Sequence, residues 1–160
     1  MGLRWDLVQA QILLAAGHLK RLEQRAIRRR GAAVECRLYA ENPAKNFLPS
    51  PGKLERFVLP ETVKGLRIDT GVRAGDSISP FYDPMIAKLI SFGTDRTQAL
   101  DVMTVALAQL HIDGIKHNGA FLSALIQNPE FVAGRVDTGF VQREITNLLA
   151  VASGEVHVGV

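Results

Sequence analysis

Residues 65–92 read GLRIDTGVRAGDSISPFYDPMIAKLISF, and this stretch decides the fold. Leu66 and Ile68 alternate with Arg67 and Asp69, the period-two pattern of a half-buried strand. Gly71 and Gly75 mark turns, and Asp76-Ser77-Ile78-Ser79 repeats the polar–apolar alternation. Pro80 and Pro84 bracket Phe81-Tyr82-Asp83, which makes that piece extended or turned, because the residue before a proline avoids the helical region. Met85 to Phe92 is apolar apart from Lys88 and Ser91 and fits a buried strand. Arg67 shares a strand face with Asp69. A planar, permanently charged fork on a rigid sheet can grip a polar planar group. An exposed arginine that merely pairs with Asp69 satisfies the same spacing, and spacing alone favours that plainer reading.

Upstream, Ala32 to Ala40 reads as a strand with Val34, Cys36, Leu38 and Ala40 on one face and Glu35, Arg37 and Tyr39 on the other. Glu35 and Arg37 can pair along their face, a structural role. Residues 42–52 form a proline-rich loop that Phe47 and Leu48 pack down. Lys53 to Leu59 follows as a strand anchored by Leu54 and Phe57. Strands in succession, joined by short turns, predict an antiparallel sheet. Near the N-terminus, Asp6 is placed to cap a helix through Leu7, Val8, Ile12, Leu13 and Ala16 that ends at Gly17. Its apolar residues cover more than one side, which predicts packing between other elements.

The clearest helix starts at Thr94 as N-cap and runs through Ala99, Val102, Met103, Ala106, Leu107 and Leu110, with Gly114 beyond its end. His111 falls at its tail, with no second ligand nearby, and reads as a surface or capping group. Asn118 opens a helix through Phe121, Leu122, Leu125 and Ile126, closed by Asn128-Pro129. Phe140, Val141, Ile145, Leu148 and Leu149 mark a last helix, and residues 151–160 read as a tail.

At 160 residues, with 47% hydrophobic and 22% charged residues, the chain suits a globular domain with a real core. No apolar run is long enough to span a membrane and no signal-peptide pattern follows Met1, so a cytoplasmic protein is expected. The single cysteine, Cys36, rules out an intramolecular disulfide and a cysteine-cluster zinc site, and reads as a buried structural thiol. Lys20, Arg21, Arg25, Arg28, Arg29 and Arg30 face Glu23 alone in residues 18–30, so the rest of the chain is net acidic. Such a cluster can bind polyanions, but it lacks interleaved aromatics and any nucleic-acid motif, and a solvated face is the preferred reading over nucleic acid.

Arg67 with Asp69, the Gly71 and Gly75 turns, Phe81-Tyr82-Asp83-Pro84-Met85-Ile86 and Lys88-Leu89-Ile90 together resemble the C-terminal domain of biotin carboxylase, the ATP-dependent component of the acyl-CoA and pyruvate carboxylases. Val34-Glu35-Cys36-Arg37-Leu38-Tyr39-Ala40-Glu41-Asn42-Pro43, Phe47-Leu48-Pro49-Ser50-Pro51-Gly52 and Ile112-Asp113-Gly114-Ile115-Lys116 with Asn118 continue it in order, from about Asp6 to Leu149. The resemblance implies an α+β fold, an antiparallel sheet or barrel-like β-region with flanking helices. It divides the chain into an N-terminal helix and basic linker (1–31), the C-terminal domain proper (32–150) and a flexible tail (151–160). Two departures stand out: the family commonly has Gly-His where Gly31-Ala32 stands, and its counterpart of residues 18–30 is shorter and less basic.

The family uses ATP to activate bicarbonate and moves the carboxyl group to N1 of biotin. The resemblance assigns Arg67 the catalytic and biotin-binding role of holding the ureido oxygen, where negative charge develops as the N1 proton leaves. ATP and magnesium are expected on the ATP-grasp and N-terminal domains, which the family places ahead of the segment matched here. The chain carries no glycine-rich phosphate loop and no paired-glutamate metal segment of its own. The expected partners are those domains, a biotin carboxyl carrier domain, a carboxyltransferase subunit and a second copy of the chain. The fragment alone is expected to be inactive; the alternative is a non-catalytic scaffold or interaction domain of the same fold, with the added arginines as solubilising replacements.

Overall fold

The computed structural model describes residues 6–19, 23–60 and 62–154. In chain order the elements are α1 (Leu7–Ala15), β1 (Ala32–Tyr39), β2 (Glu41–Asn42), β3 (Leu48–Pro49), β4 (Gly52–Lys53), β5 (Arg56–Val58), β6 (Leu66–Thr70), β7 (Ser77–Ile78), β8 (Met85–Gly93), α2 (Arg96–Ala108), β9 (His111–Asp113), α3 (Gly119–Gln127), α4 (Pro129–Val132) and α5 (Phe140–Ser153). Short 3-10 turns occupy Gln24–Ala26 and Pro43–Lys45. The architecture is α+β with antiparallel pairing throughout, as the sequence predicts.

The main sheet has the order β1-β8-β6. β8 is the apolar run Met85–Gly93, and it lies in the middle because its inner face is apolar apart from a satisfied serine. Val34, Cys36 and Leu38 of β1 meet Ser91, Leu89 and Ala87 of β8 in register, and all six are buried. Leu66 and Ile68 of β6 pack against the same core from the other side. α2 covers this face with Ala99, Leu100, Met103, Ala106 and Leu107. The buried Ser91 hydroxyl donates to the Ala99 carbonyl at 2.7 Å, which fastens β8 to the helix. β2 pairs with β3, β4 with β7, and β5 with β9, as short ribbons around the sheet. Gly114, just after β9, needs its glycine: φ is +98°, and a Cβ there would collide with the Lys53 carbonyl oxygen.

A second cluster joins α3 to α5 through Phe121, Ala124 and Leu148. Phe47 docks edge-on against Phe121 with ring centroids 5.0 Å apart, so the loop is pinned as predicted, but Leu48 is left exposed. Four other expectations shift. Asp95, not Thr94, caps α2: its Oδ1 accepts the Gln98 N–H at 2.9 Å, and the Gln98 Oε1 accepts the Thr94 N–H. His111 is exposed on β9 rather than on the helix tail, because α2 ends at Ala108 and the chain pairs with β5. α5 runs to Ser153 before the left-handed Gly154 ends it, so helix occupies the first part of the expected tail. α1 is capped by Asp6 as predicted, but it buries nothing: Leu7, Val8, Ile12 and Leu14 are all 63–65% exposed. Lys20 and Arg21 of the basic segment lie outside the described residues.

Candidate functional site

β6 is an edge strand whose inward residues, Leu66 and Ile68, are held by the core; Arg67 and Asp69 therefore point away from it. In register, Arg67 stands opposite Ile90, while Asp69 stands opposite Lys88, which in turn faces Arg37 of β1. The outer face of the sheet is thus a small charged field of Glu35, Arg37, Lys88, Arg67 and Asp69. The turn that follows β6 is fixed by Thr70, whose hydroxyl donates to the Ile86 carbonyl at 2.7 Å.

Arg67 Nε donates to Asp69 Oδ1 at 2.9 Å, and its Nη2 donates to Oδ2 at 3.0 Å. The pair is open to water, with the arginine side chain 73% exposed. The hydrogen bonds from Arg67 hold the Asp69 carboxyl below the usual carboxylate range, with Lys88 adding a smaller pull in the same direction, and they raise the already high guanidinium value. An open hollow of about 200 Å³ is lined by Asp69, Thr70, Gly71 and Met85 to Lys88, and Arg67 is not part of its lining. The plain pairing of Arg67 with Asp69 is present, and it does not close the guanidinium off. On β1, Arg37 Nε donates to Glu35 Oε1 at 3.0 Å, as the spacing predicts.

Cys36 is buried, and burial, aided by the charge on Glu35, pushes its thiol up to about 12; it is a structural residue. Among the described residues no group of three His, Cys, Asp or Glu side chains could hold a metal ion. His117 lines a larger polar hollow with Ser50, Asp113 and Lys116, and burial holds its imidazole below the ordinary value. Sequence reasoning missed what Asn118 does. Its Oδ1 accepts the Tyr39 N–H at 2.9 Å and its Nδ2 donates to the Arg37 carbonyl at 3.1 Å, tying the end of β1 to the start of α3. An asparagine ahead of a helix looks like an ordinary cap, so nothing local signalled this tie. The role of Lys88 on the Arg67 face was equally hidden, since it depends on long-range register.

The sequence profile of the biotin carboxylase C-terminal domain matches residues 35–143. The chain belongs to that family. Its similarity to the human mitochondrial propionyl-CoA carboxylase alpha chain is 48% identity over 137 residues, 85% of this chain and 19% of that protein. To the biotin carboxylase of Halalkalibacterium halodurans it is 44% identical over 149 residues, 93% of this chain and 32% of that one. Among solved structures, the biotin carboxylase domain dimer of the Hydrogenobacter thermophilus 2-oxoglutarate carboxylase, in complex with MgADP, ADP and bicarbonate, superposes with a TM-score of 0.83 at 34% identity, over 94% of this chain and 32% of that chain. This biotin carboxylase C-terminal domain therefore spans a fifth to a third of the relatives it matches. Among its described residues no helix is long and apolar enough to cross a membrane.

Proposed function

We propose that this domain completes a biotin carboxylase active site and that Arg67 is the residue it contributes. The observation that carries the reading is a guanidinium fixed on a core-anchored strand, inside the span that matches the family, with free donors facing solvent. Biotin supplies a nitrogen that takes the carboxyl group. Arg67 holds the ureido oxygen of that ring, stabilising the negative charge that gathers there as the neighbouring nitrogen loses its proton. A fixed arginine suits this better than lysine because it offers parallel N–H bonds to one planar group.

We assign ATP and magnesium to other domains of the enzyme and not to this chain. In this reading an ATP-grasp domain and an N-terminal domain hold them and the bicarbonate, a carrier domain delivers biotin, and a carboxyltransferase subunit consumes the product. Self-association belongs to the same reading, since the Hydrogenobacter relative is a dimer. The exposed apolar residues of α1 support it too, because no described residue covers Leu7, Val8, Ile12 and Leu14. The compartment we assign is the cytoplasm, whereas the human relative is named mitochondrial. The acyl-CoA that accepts the carboxyl group is chosen by the carboxyltransferase and not by this chain.

The test uses a full-length chimera in which residues 6–149 replace the matching third of the Halalkalibacterium enzyme. ATP- and bicarbonate-dependent carboxylation of free biotin is expected, falling at least 100-fold in Arg67→Ala. The 160-residue chain alone is expected to give no turnover. An inactive chimera, or an Arg67→Ala chimera as fast as its parent, leaves the rival reading of a non-catalytic module, which the exposed Arg67–Asp69 pair also fits.

A further inference from the structure

An asparagine just ahead of a helix ordinarily caps it by accepting a free N–H of the first turn. Asn118 does not. Its side chain accepts the Tyr39 N–H at 2.9 Å and donates to the Arg37 carbonyl at 3.1 Å, and its own N–H donates to the Tyr39 carbonyl at 3.2 Å. The cap of α3 falls to the residue before it: His117 Nδ1 accepts the N–H of Gly119, the first residue of the helix, at 3.2 Å. We propose that His117 is an acid-sensitive latch: its neutral imidazole holds the head of α3, and a proton on Nδ1 releases that head and, through Asn118, the end of β1. The latch is independent of the role given to Arg67.

A ring nitrogen accepts an N–H only while it carries no proton, so this bond requires the neutral ring with its hydrogen on Nε2. Once Nδ1 is protonated, two N–H bonds point at each other and the ring must turn away. Gly119 is buried against it, so close that a Cβ there would lie 2.9 Å from Nδ1 and 3.0 Å from Cε1. The way out is the open polar hollow of about 620 Å³ that His117 lines with Ser50, Asp113 and Lys116. The bonds of His117 and Asn118 leave from consecutive residues, so loss of the first loosens the second. Burial is the main influence on the ring and holds its pKa below the ordinary imidazole value; Asp113, at the end of β9, works against this, and Lys116 works with it. α3 has no charged side chain, Ser50 is neutral, and β1 reaches this corner through backbone groups of Arg37 and Tyr39. The folded value lies below the unfolded one, so the contribution of the latch is complete above about pH 6.5 and is lost as pH falls through the folded value.

NMR of the full 160-residue chain tests this. Amide exchange is followed from about pH 7.5 to about pH 5 and expressed as protection, which removes the intrinsic pH dependence of exchange. Protection of Gly119 and Tyr39 is expected to fall together about fivefold, the scale of a lost cap, around the midpoint of the His117 ring. Nitrogen shifts of the neutral ring are expected to place its hydrogen on Nε2. His117→Ser, whose hydroxyl can accept the same N–H without titrating in this range, is expected to keep the parent's protection at the upper pH and to lose the fall. His117→Ala, which has no acceptor, is expected to stay at the parent's acid level throughout. His111→Ala, which removes the exposed imidazole of β9, is expected to titrate as the parent does. Flat protection at Gly119 and Tyr39 through the His117 midpoint overturns the inference. So does a fall that survives in His117→Ser or vanishes in His111→Ala, or a neutral ring with its hydrogen on Nδ1. Should His117→Ala not fold, the parent titration and His117→Ser still decide.

Discussion

On the inner face of the β1–β8–β6 sheet, Val34, Cys36, Leu38, Ala87, Leu89 and Ser91 are buried under α2, whereas on the outer face Arg67 and Arg37 stand in solvent beside their acids. The same strands supply both faces, one residue apart. The inner face is specified by volume: each side chain fills space that its neighbours leave, and a lost atom leaves a hole. The outer face is specified by direction: its charged groups contribute little to folding, but the pleat fixes where they point. Packing and charge are therefore divided between alternate residues of one sheet.

That division can be broken first at Leu38, which is fully buried. Leu38→Ala is expected to cost about 2–5 kcal/mol in urea unfolding, the range for a leucine cavity that cannot collapse. A cost near that of a surface change would mean that the core is looser than the packing implies. Cys36 gives the next contrast. With its thiol pushed up to about 12, the thiolate is scarce at pH 8, and modification by a disulfide reagent should run at least ~100-fold slower in the folded chain than in urea. On the other face, Arg67→Ala and Arg37→Ala should leave the urea midpoint at the parent value within reproducibility, while only Arg67→Ala disables the chimera.

The subtlest effect is electrostatic. The folded Asp69 pKa lies below its unfolded value, so the pair's small contribution to stability is present above about pH 3.9 and fades as pH falls through the folded value. A carbon-detected NMR titration should put the Asp69 midpoint below that of an ordinary aspartate, and Arg67→Ala should raise it. An unmoved midpoint would mean that the two side chains do not hold each other in solution.

Much of this sheet could be read from sequence because burial on one side imposes a two-residue rhythm: Val34, Cys36 and Leu38 fall inside, and Glu35 and Arg37 fall outside. The Arg67–Asp69 and Arg37–Glu35 pairs follow from that rhythm alone. What stayed hidden was pairing at long range. Nothing local tells β1 that its partner is β8, fifty residues on, or that Lys88 lies between Arg37 and Asp69. Element ends drifted where two residues competed for one role, as Thr94 and Asp95 did for the cap, and the carboxylate won. α1 misled in the other direction: its apolar content predicts a buried helix, and no described residue buries it.

Asn118 has a consequence for motion. One amide side chain stitches positions 79 residues apart, reaching the Tyr39 N–H from the head of α3. Hydrogen exchange at Tyr39 is then governed by the undocking of α3, and not by fraying of the strand end it belongs to. Helix α3 and strand β1 should accordingly open as one cooperative unit, although 79 residues separate the two partners of this bond.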